Sequence, residues 1–288
     1  MTASAAHEHE RDEDDAQVPV RVLRATRGWR VVDVRELFAA RELLLVFIAR
    51  DIRVRYRQTV LGALWAIVQP LMSMVVMSVV FGRFARMPSD GLPYPVFVYA
   101  GMLPWTFFAA SVARATGSMG SAAYLVSKVY FPRLVLPLSS VGAPLVDLAV
   151  ALSVQIGLMI FYGVALTWQI VIAPVVVVGM VLCAVGVGTL FAGLAARFRD
   201  VGYVIPFALQ VWMWASPVVY PPSIVPEAYR VLVFVNPMAG FIDAFRAAFL
   251  GRPIDVATLS AAFGISLAIF VIGALVFART EKTLADVL

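Results

Sequence analysis

The chain has 288 residues, of which 61% are hydrophobic and only 14% charged, with a formal net charge of +5. A soluble domain of that size with so little charge would precipitate, so the composition excludes one and makes the lipid bilayer the solvent. The single cysteine, Cys183, sits in an apolar run and excludes a disulfide framework or a cysteine-based metal site; the positive charge is scattered between apolar runs, which argues against a nucleic-acid partner.

Residues 1–32 are polar and charged and contain His7-Glu8-His9-Glu10-Arg11-Asp12-Glu13-Asp14-Asp15. A solvated, disordered cytoplasmic tail is expected there rather than a metal site, and no secretory signal, because the segment has no continuous apolar core. From Asp33 to Arg57 the apolar residues Val34, Leu37, Phe38, Leu45, Ile48 and Ile52 recur at helical spacing against Arg35, Arg41, Glu42 and Arg53. Asp33 with Glu36 resembles a capping box. The segment therefore reads as an amphipathic helix lying in the inner headgroup layer, either a simple anchor or part of a docking surface.

Six apolar stretches are long enough to cross about 30 Å of hydrocarbon at about 1.5 Å per residue. They are Leu61 to Gly82, Leu92 to Val112, Leu134 to Phe161, Gln169 to Ala196, Val201 to Tyr220 and Val256 to Ala278. Between the last two, residues 226–250 are apolar but interrupted by Asn236-Pro237 and Gly240 and carry Asp243 and Arg246. Broken backbone survives at membrane depth only where protein or water satisfies it, so this segment reads as a re-entrant hairpin. The expected fold class is thus an all-α membrane protein with six transmembrane helices, an N-terminal interface helix and a re-entrant hairpin. With both termini cytoplasmic, only Arg83, Arg86, Arg230, Arg246 and Arg252 of the 23 lysines and arginines fall outside. That asymmetry sets the orientation in the plasma or bacterial inner membrane.

The sequence has no Gly-x-x-x-x-Gly-Lys-Ser/Thr loop: neither Lys128 nor Lys282 follows a glycine. It has no His-Glu-x-x-His motif and no dense carboxylate cluster within the spans, so no catalytic residue, no metal ligand and no cofactor is assigned to it. Asp147, the one charge inside a predicted span, is costly there unless paired or hydrated. A structural polar contact and proton coupling both stay open for it, with Ser153 and Gln155 as possible neighbours of a hydrated path. Asp243 and Arg246, three apart, are expected to pair on one helix face.

Aromatic residues concentrate on spans one, two and five: Trp65, Tyr99, Trp105, Phe107, Phe108, Phe207, Trp212, Trp214 and Tyr220. An interfacial belt or helix packing accounts for such residues. Sugar rings also stack their C–H faces on aromatic planes, which makes Trp65, Tyr99, Trp105, Phe108, Trp212, Trp214 and Tyr220 candidates for the wall of a glycan path.

Five ordered segments carry a family resemblance: Tyr56-Arg57-Gln58-Thr59-Val60-Leu61-Gly62-Ala63-Leu64-Trp65 with Gln69-Pro70; Gly101-Met102-Leu103-Pro104-Trp105; Lys128-Val129-Tyr130-Phe131-Pro132-Arg133; Ala215-Ser216-Pro217-Val218-Val219-Tyr220; and Asn236-Pro237-Met238. From about Asp33 to Leu288 the chain resembles ABC-2 type transporter permeases of the polysaccharide-export group. The resemblance implies a homodimer of permeases, each bound to a separate ATP-binding-cassette ATPase that holds ATP and magnesium, exporting a lipid-linked glycan such as O-antigen, galactan or teichoic acid. It also implies a coupling helix within Ser121 to Arg133, with Tyr124, Lys128, Tyr130, Phe131 and Arg133 as its working residues. The re-entrant hairpin, with Asn236, Pro237, Asp243 and Arg246, would gate the outer mouth. An exporter of drugs or small lipids shares the fold; a membrane glycosyltransferase acting on polyprenyl sugars would need outer carboxylates, and only Asp90, Glu227, Asp243 and Asp255 lie there. A secondary carrier would rest on Asp147 alone.

Overall fold

A computed structural model describes residues 34–57, 64–198 and 200–284. The tail expected over 1–32, the cap residue Asp33 and residues 58–63 of the first motif lie outside them. The described residues form α-helices and short 3-10 or π turns, with no strand among them. In chain order these are α1 (Val34–Ala39), α2 (Arg41–Tyr56), α3 (Trp65–Met77, continued by a π-helical turn Ser78–Phe84), α4 (Tyr94–Ser121), α5 (Ala123–Lys128), α6 (Val135–Ser139), α7 (Gly142–Tyr162), α8 (Ala173–Arg197), α9 (Val201–Trp214), α10 (Arg230–Val235), α11 (Pro237–Leu250) and α12 (Val256–Leu284).

Five helical stretches are individually long and apolar enough to span a bilayer: Trp65–Phe84, Tyr94–Ser121, Val135–Tyr162, Trp168–Arg197 and Val256–Thr280. The expected fifth span, 201–220, is shorter than its hydropathy suggests. Its helix stops at Trp214, and 14 residues at about 1.5 Å each fall short of about 30 Å. Ser216-Pro217 explains the stop, because the residue before a proline is pushed out of helical backbone. The hairpin is present as a pair, Glu227–Val235 and Pro237–Leu250, bent by 93° at Asn236. Where one helix over 33–57 is expected, the chain forms two, α1 and α2, separated at Ala40.

The spans are not equivalent. In Tyr94–Ser121 78% of the most apolar stretch is buried within the chain, against 6% in Trp65–Phe84, so α4 is the axis of the bundle and α3 lies at its edge. Val96, Phe97, Tyr99 and Phe108 on α4 and Met238, Phe241, Ile242 and Phe245 on α11 are fully enclosed, with α8 and α12 packed around them. In lipid the exclusion of water no longer drives helices together, so close packing and internal hydrogen bonds decide the arrangement. The crossing of α8 and α12 shows the first of these. A Cβ on Gly186 would stand 2.7 Å from the Phe270 amide nitrogen, and one on Gly273 would overlap the Gly186 carbonyl oxygen. Only hydrogen fits between those backbones.

At the end of the bundle bearing α5 lies a second, smaller core of Phe47, Met119, Phe131, Leu134, Val135 and Phe277 with their neighbours. It binds α2 to the ends of α4, α6, α8 and α12. One side of α2 therefore packs on protein through Phe47 and Ile48, and the other leaves Leu45, Val46 and Val54 exposed.

Candidate functional site

The segment after α4 is short and stiff. Ala123–Lys128 makes under two turns of helix, and Val129 leaves it in extended backbone. Of the five residues assigned to coupling, Tyr124, Lys128 and Tyr130 are exposed, with Tyr124 at 76%. Phe131 is buried, its ring edge-on to Phe47 at 5.8 Å. The Phe47 ring in turn carries the Arg50 guanidinium 4.8 Å above its centre. Tyr130 Oη donates to Glu36 Oε1 at 3.3 Å. Arg133 is half-buried beside the bend. Phe131 is thus the anchor of this surface, and Tyr124, Lys128 and Tyr130 are its face.

The same α2 reaches α7 through Asp147. Arg55 Nη2 stands 2.6 Å from Asp147 Oδ2 and its Nε donates to Oδ1 at 3.1 Å. Tyr56 Oη donates to the same Oδ1 at 2.5 Å. Burial first, and then the adjacent carboxylate, push the Tyr56 phenol up to about 12, so it remains a donor at physiological pH. Sequence reasoning saw Asp147 without its partners, because they lie 91 and 92 residues away on a different element.

At the opposite end, Arg246 corrects the expectation of an Asp243–Arg246 pair. It is the largest fully buried side chain among the described residues, and its hydrogen bonds go to backbone: Nε to Phe97 O at 3.2 Å, Nη1 to Pro217 O and to Tyr220 O at 3.4 Å, and Nη2 to Val218 O. Its guanidinium also lies 3.9 Å from the centre of the Phe97 ring. The reason is geometric. Where α9 stops early, the carbonyls of Pro217, Val218 and Tyr220 have no helical donors, and a planar five-donor group satisfies these three at once. Gly101 makes the room, since a Cβ there would overlap the guanidinium and come 2.7 Å from Val218 O. Asp243 instead lines a cavity of about 530 Å³ with Arg230, Phe234, Asp255 and Thr258. Asp255 caps α12, and the Thr258 side chain and amide holding it keep its carboxyl below the usual carboxylate range.

Asn236 joins the two halves of the hairpin to α9. Its Oδ1 accepts from Trp212 Nε1 at 2.9 Å and from the Met238 amide at 3.1 Å, while Nδ2 donates to Ser216 Oγ at 2.9 Å. Pro237 follows at the first helical position, where its missing N–H costs nothing. The Trp212 ring packs edge-on against Phe108 at 5.0 Å and Trp105 at 6.4 Å. Tyr99, Trp105 and Phe108 are buried between helices of the chain. Trp65 and Trp214 are exposed on α3 and α9, Tyr220 is half-buried, and Trp214 packs 5.9 Å from Phe81 of the π-helical turn.

Several structural residues escaped the sequence reading. Asp90 accepts from Ser223 Oγ at 3.1 Å and pairs with Arg252 at 2.6 Å, clasping three connections together. Tyr94 Oη donates to Val219 O at 2.7 Å, beside the Arg246 site. Gly101 opens the segment Gly101-Met102-Leu103-Pro104-Trp105, yet nothing in a single sequence tells a packing glycine from a close approach to an arginine 145 residues on. The sole available signal for Arg246 was its burial-prone neighbourhood: the one cation of a mostly apolar helix needs partners.

Residues 42–250 match the family described as ABC-2 type transporter. The chain is 30% identical over 257 residues to the O-antigen export system permease protein RfbA of Myxococcus xanthus, covering 88% of this chain and 98% of that protein. It is 27% identical over 249 residues to the protein of the same name from Klebsiella pneumoniae, covering 86% and 95%. Similarity extends to the polysialic acid transport protein KpsM of Escherichia coli, 24% identical over 213 residues and covering 69% and 78%.

Proposed function

The chain belongs to the ABC-2 type transporter family, and from that membership we propose that it is the membrane subunit of an exporter of a lipid-linked polysaccharide, powered by a separate ATP-binding-cassette ATPase. The relatives' names, O-antigen export permease and polysialic acid transport protein, favour a glycan cargo over a drug or small lipid. A permease of this family sits in the inner membrane. The positive-inside rule supports an orientation with α5 and both termini on the cytoplasmic side.

One observation carries the coupling part of this reading: an exposed Tyr124–Lys128–Tyr130 face is mounted on a buried Phe131–Phe47 contact. Exposed aromatics beside a basic residue suit a protein partner. The buried pair gives that partner something stiff to push. Displacing α5 would move α2 through Phe47, and α2 would move α7 through the Arg55–Asp147 and Tyr56–Asp147 bonds. In our reading the partner binds ATP and magnesium, its subunits close, and this lever shifts the inner ends of two permeases against each other. The exposed apolar side of α2, Leu45, Val46 and Val54, suits the lipid boundary that an interface helix occupies.

The glycan path is assigned to a cleft between two permeases, reached by exposed Trp65 and Trp214 and by Tyr220. Trp105, Phe108, Tyr99 and Trp212 form the packed layer behind it. The hairpin 226–250 forms the outer gate, with Asn236, Pro237, Asp243 and Arg246 setting its bend and seat. Two tests apply. Tyr124→Ala with Lys128→Glu should abolish co-purification of the ATPase, and Trp65→Ala with Trp214→Ala should lower glycan export while leaving ATPase binding intact. Unchanged co-purification would refute the coupling face, and unchanged export would refute the path.

A further inference from the structure

Between α2, the last two turns of α4, and α6 lies a cavity of about 420 Å³ at the end of the bundle that carries α5. Its walls include Arg50, Asp51, Arg114, Ser118, Ser139 and Ser140. Two guanidinium groups share a single carboxylate here. Arg50 Nε and Nη2 donate to Asp51 Oδ1 at 3.0 and 2.9 Å, and Arg114 Nη2 stands 3.5 Å from Asp51 Oδ2. The three side chains leave one positive charge that nothing in the cavity neutralises.

One donor is also unspent. Arg114 Nε is buried and has no acceptor, which is rare for a charged group because its desolvation goes uncompensated. The hydroxyls of Ser118, Ser139 and Ser140 bond to carbonyls within their own helical turns. Each can rotate to serve an entering anion. Planar arginine forks over a serine-lined wall match phosphate oxygens in charge and shape. The rim points to a phosphate borne on lipid. Val54 lines the cavity and is 72% exposed, and Leu45 and Val46 extend the apolar surface along α2. Such a surface suits acyl chains better than water.

We propose that this cavity binds the phosphate of an anionic membrane lipid headgroup, clamped by Arg114 and Arg50, with the lipid chain leaving past Val54. A phospholipid and a polyprenyl diphosphate carrier share that chemistry. The inference rests on the permease reading only for placing the cavity at the inner headgroup layer. A bound headgroup would bridge α2 to α4, so occupancy would stiffen the lever that carries the coupling face.

The test is native mass spectrometry of the full-length permease in mixed micelles titrated with phosphatidylglycerol, an undecaprenyl diphosphate, phosphatidylcholine or inorganic pyrophosphate. The wild-type chain should retain at least one of the two anionic lipids about tenfold better than phosphatidylcholine, and Arg114→Gln and Arg50→Gln should each lose most of that preference. Gly117→Leu is the second arm. A Cβ at Gly117 meets nothing within 4 Å, so leucine fills the cavity from helix α4 while keeping both arginines, and it should lose the same preference. Thermal unfolding of each variant confirms folding. Which anionic lipid binds more tightly separates the phospholipid from the carrier. Equal retention of anionic lipid and phosphatidylcholine by the wild type, or undiminished preference in all three variants, would overturn the proposal. Binding of pyrophosphate with no preference among lipids would assign the cavity to a soluble anion and overturn it as well. Binding is read without ATPase or transport, so its failure leaves the export reading standing, and a failure of export with lipid retention intact leaves this site standing.

Discussion

Trp212 Nε1 donates to Asn236 Oδ1 at 2.9 Å, and the same oxygen accepts the Met238 amide that opens α11. One side chain therefore fixes the end of α9 to the bend of the hairpin. Asn236→Ala removes the helix cap and strands the Trp212 N–H, a loss of about 1–3 kcal/mol. The expected readout is a lower unfolding temperature in detergent together with reduced export. Asn236→Asp keeps the acceptor for both donors and should lose less.

Arg246 is held by the backbone carbonyls of Phe97, Pro217, Val218 and Tyr220, with Gly101 leaving the room it needs. Arg246→Met leaves those carbonyls without a charged donor and should destabilise by about 3 kcal/mol or more. Gly101→Ala should be comparably harmful although it adds one methyl group. The check is the yield of monodisperse protein and its unfolding temperature. A Gly101→Ala protein as stable as wild type would show that the arginine seat is loose.

Asp147 separates a lever from a proton relay. Its partners are Arg55 and Tyr56, and Arg55 is partly exposed, so the ion pair itself contributes on the order of 1 kcal/mol or less. Asp147→Asn should lower export modestly, and the double exchange Asp147→Arg with Arg55→Asp should restore part of it. Export should persist when a protonophore collapses the proton gradient and ATP is maintained. Collapse of export with the gradient would reinstate proton coupling.

Face and anchor residues in the coupling segment should fail differently. Tyr124→Ala and Lys128→Glu leave the fold intact and weaken ATPase co-purification. Phe131→Ala empties the small inner core and should cost about 3–5 kcal/mol of stability. Unfolding temperature and pull-down yield, measured on the same preparations, distinguish the two classes.

Much of this architecture was legible in the sequence because membrane spans announce themselves by length and hydropathy. The hairpin was legible for the converse reason: Asn236-Pro237 and Gly240 interrupt an apolar run that would otherwise cross. The fifth span misled by hydropathy alone, since Ala215 to Tyr220 is as apolar as a helix and only Pro217 hints that it is not one. The site residues were harder to read. Phe131 reads as a contact residue in a loop and becomes an anchor only when Phe47, 84 positions earlier, is placed beside it. Asp243 and Arg246 have ideal spacing for a pair, yet the orphaned carbonyls after α9 outcompete the carboxylate. Spacing reports which residues share a helix face, not which unsatisfied groups face them from elsewhere.

As proposed, this chain is a conduit whose energy comes from another polypeptide. The most direct measurement is glycan translocation and phosphate release in vesicles containing the purified permease, with and without its ATP-binding-cassette partner. Export and ATP hydrolysis are expected only when both subunits are present. Export or nucleotide cleavage by the permease alone would contradict that expectation.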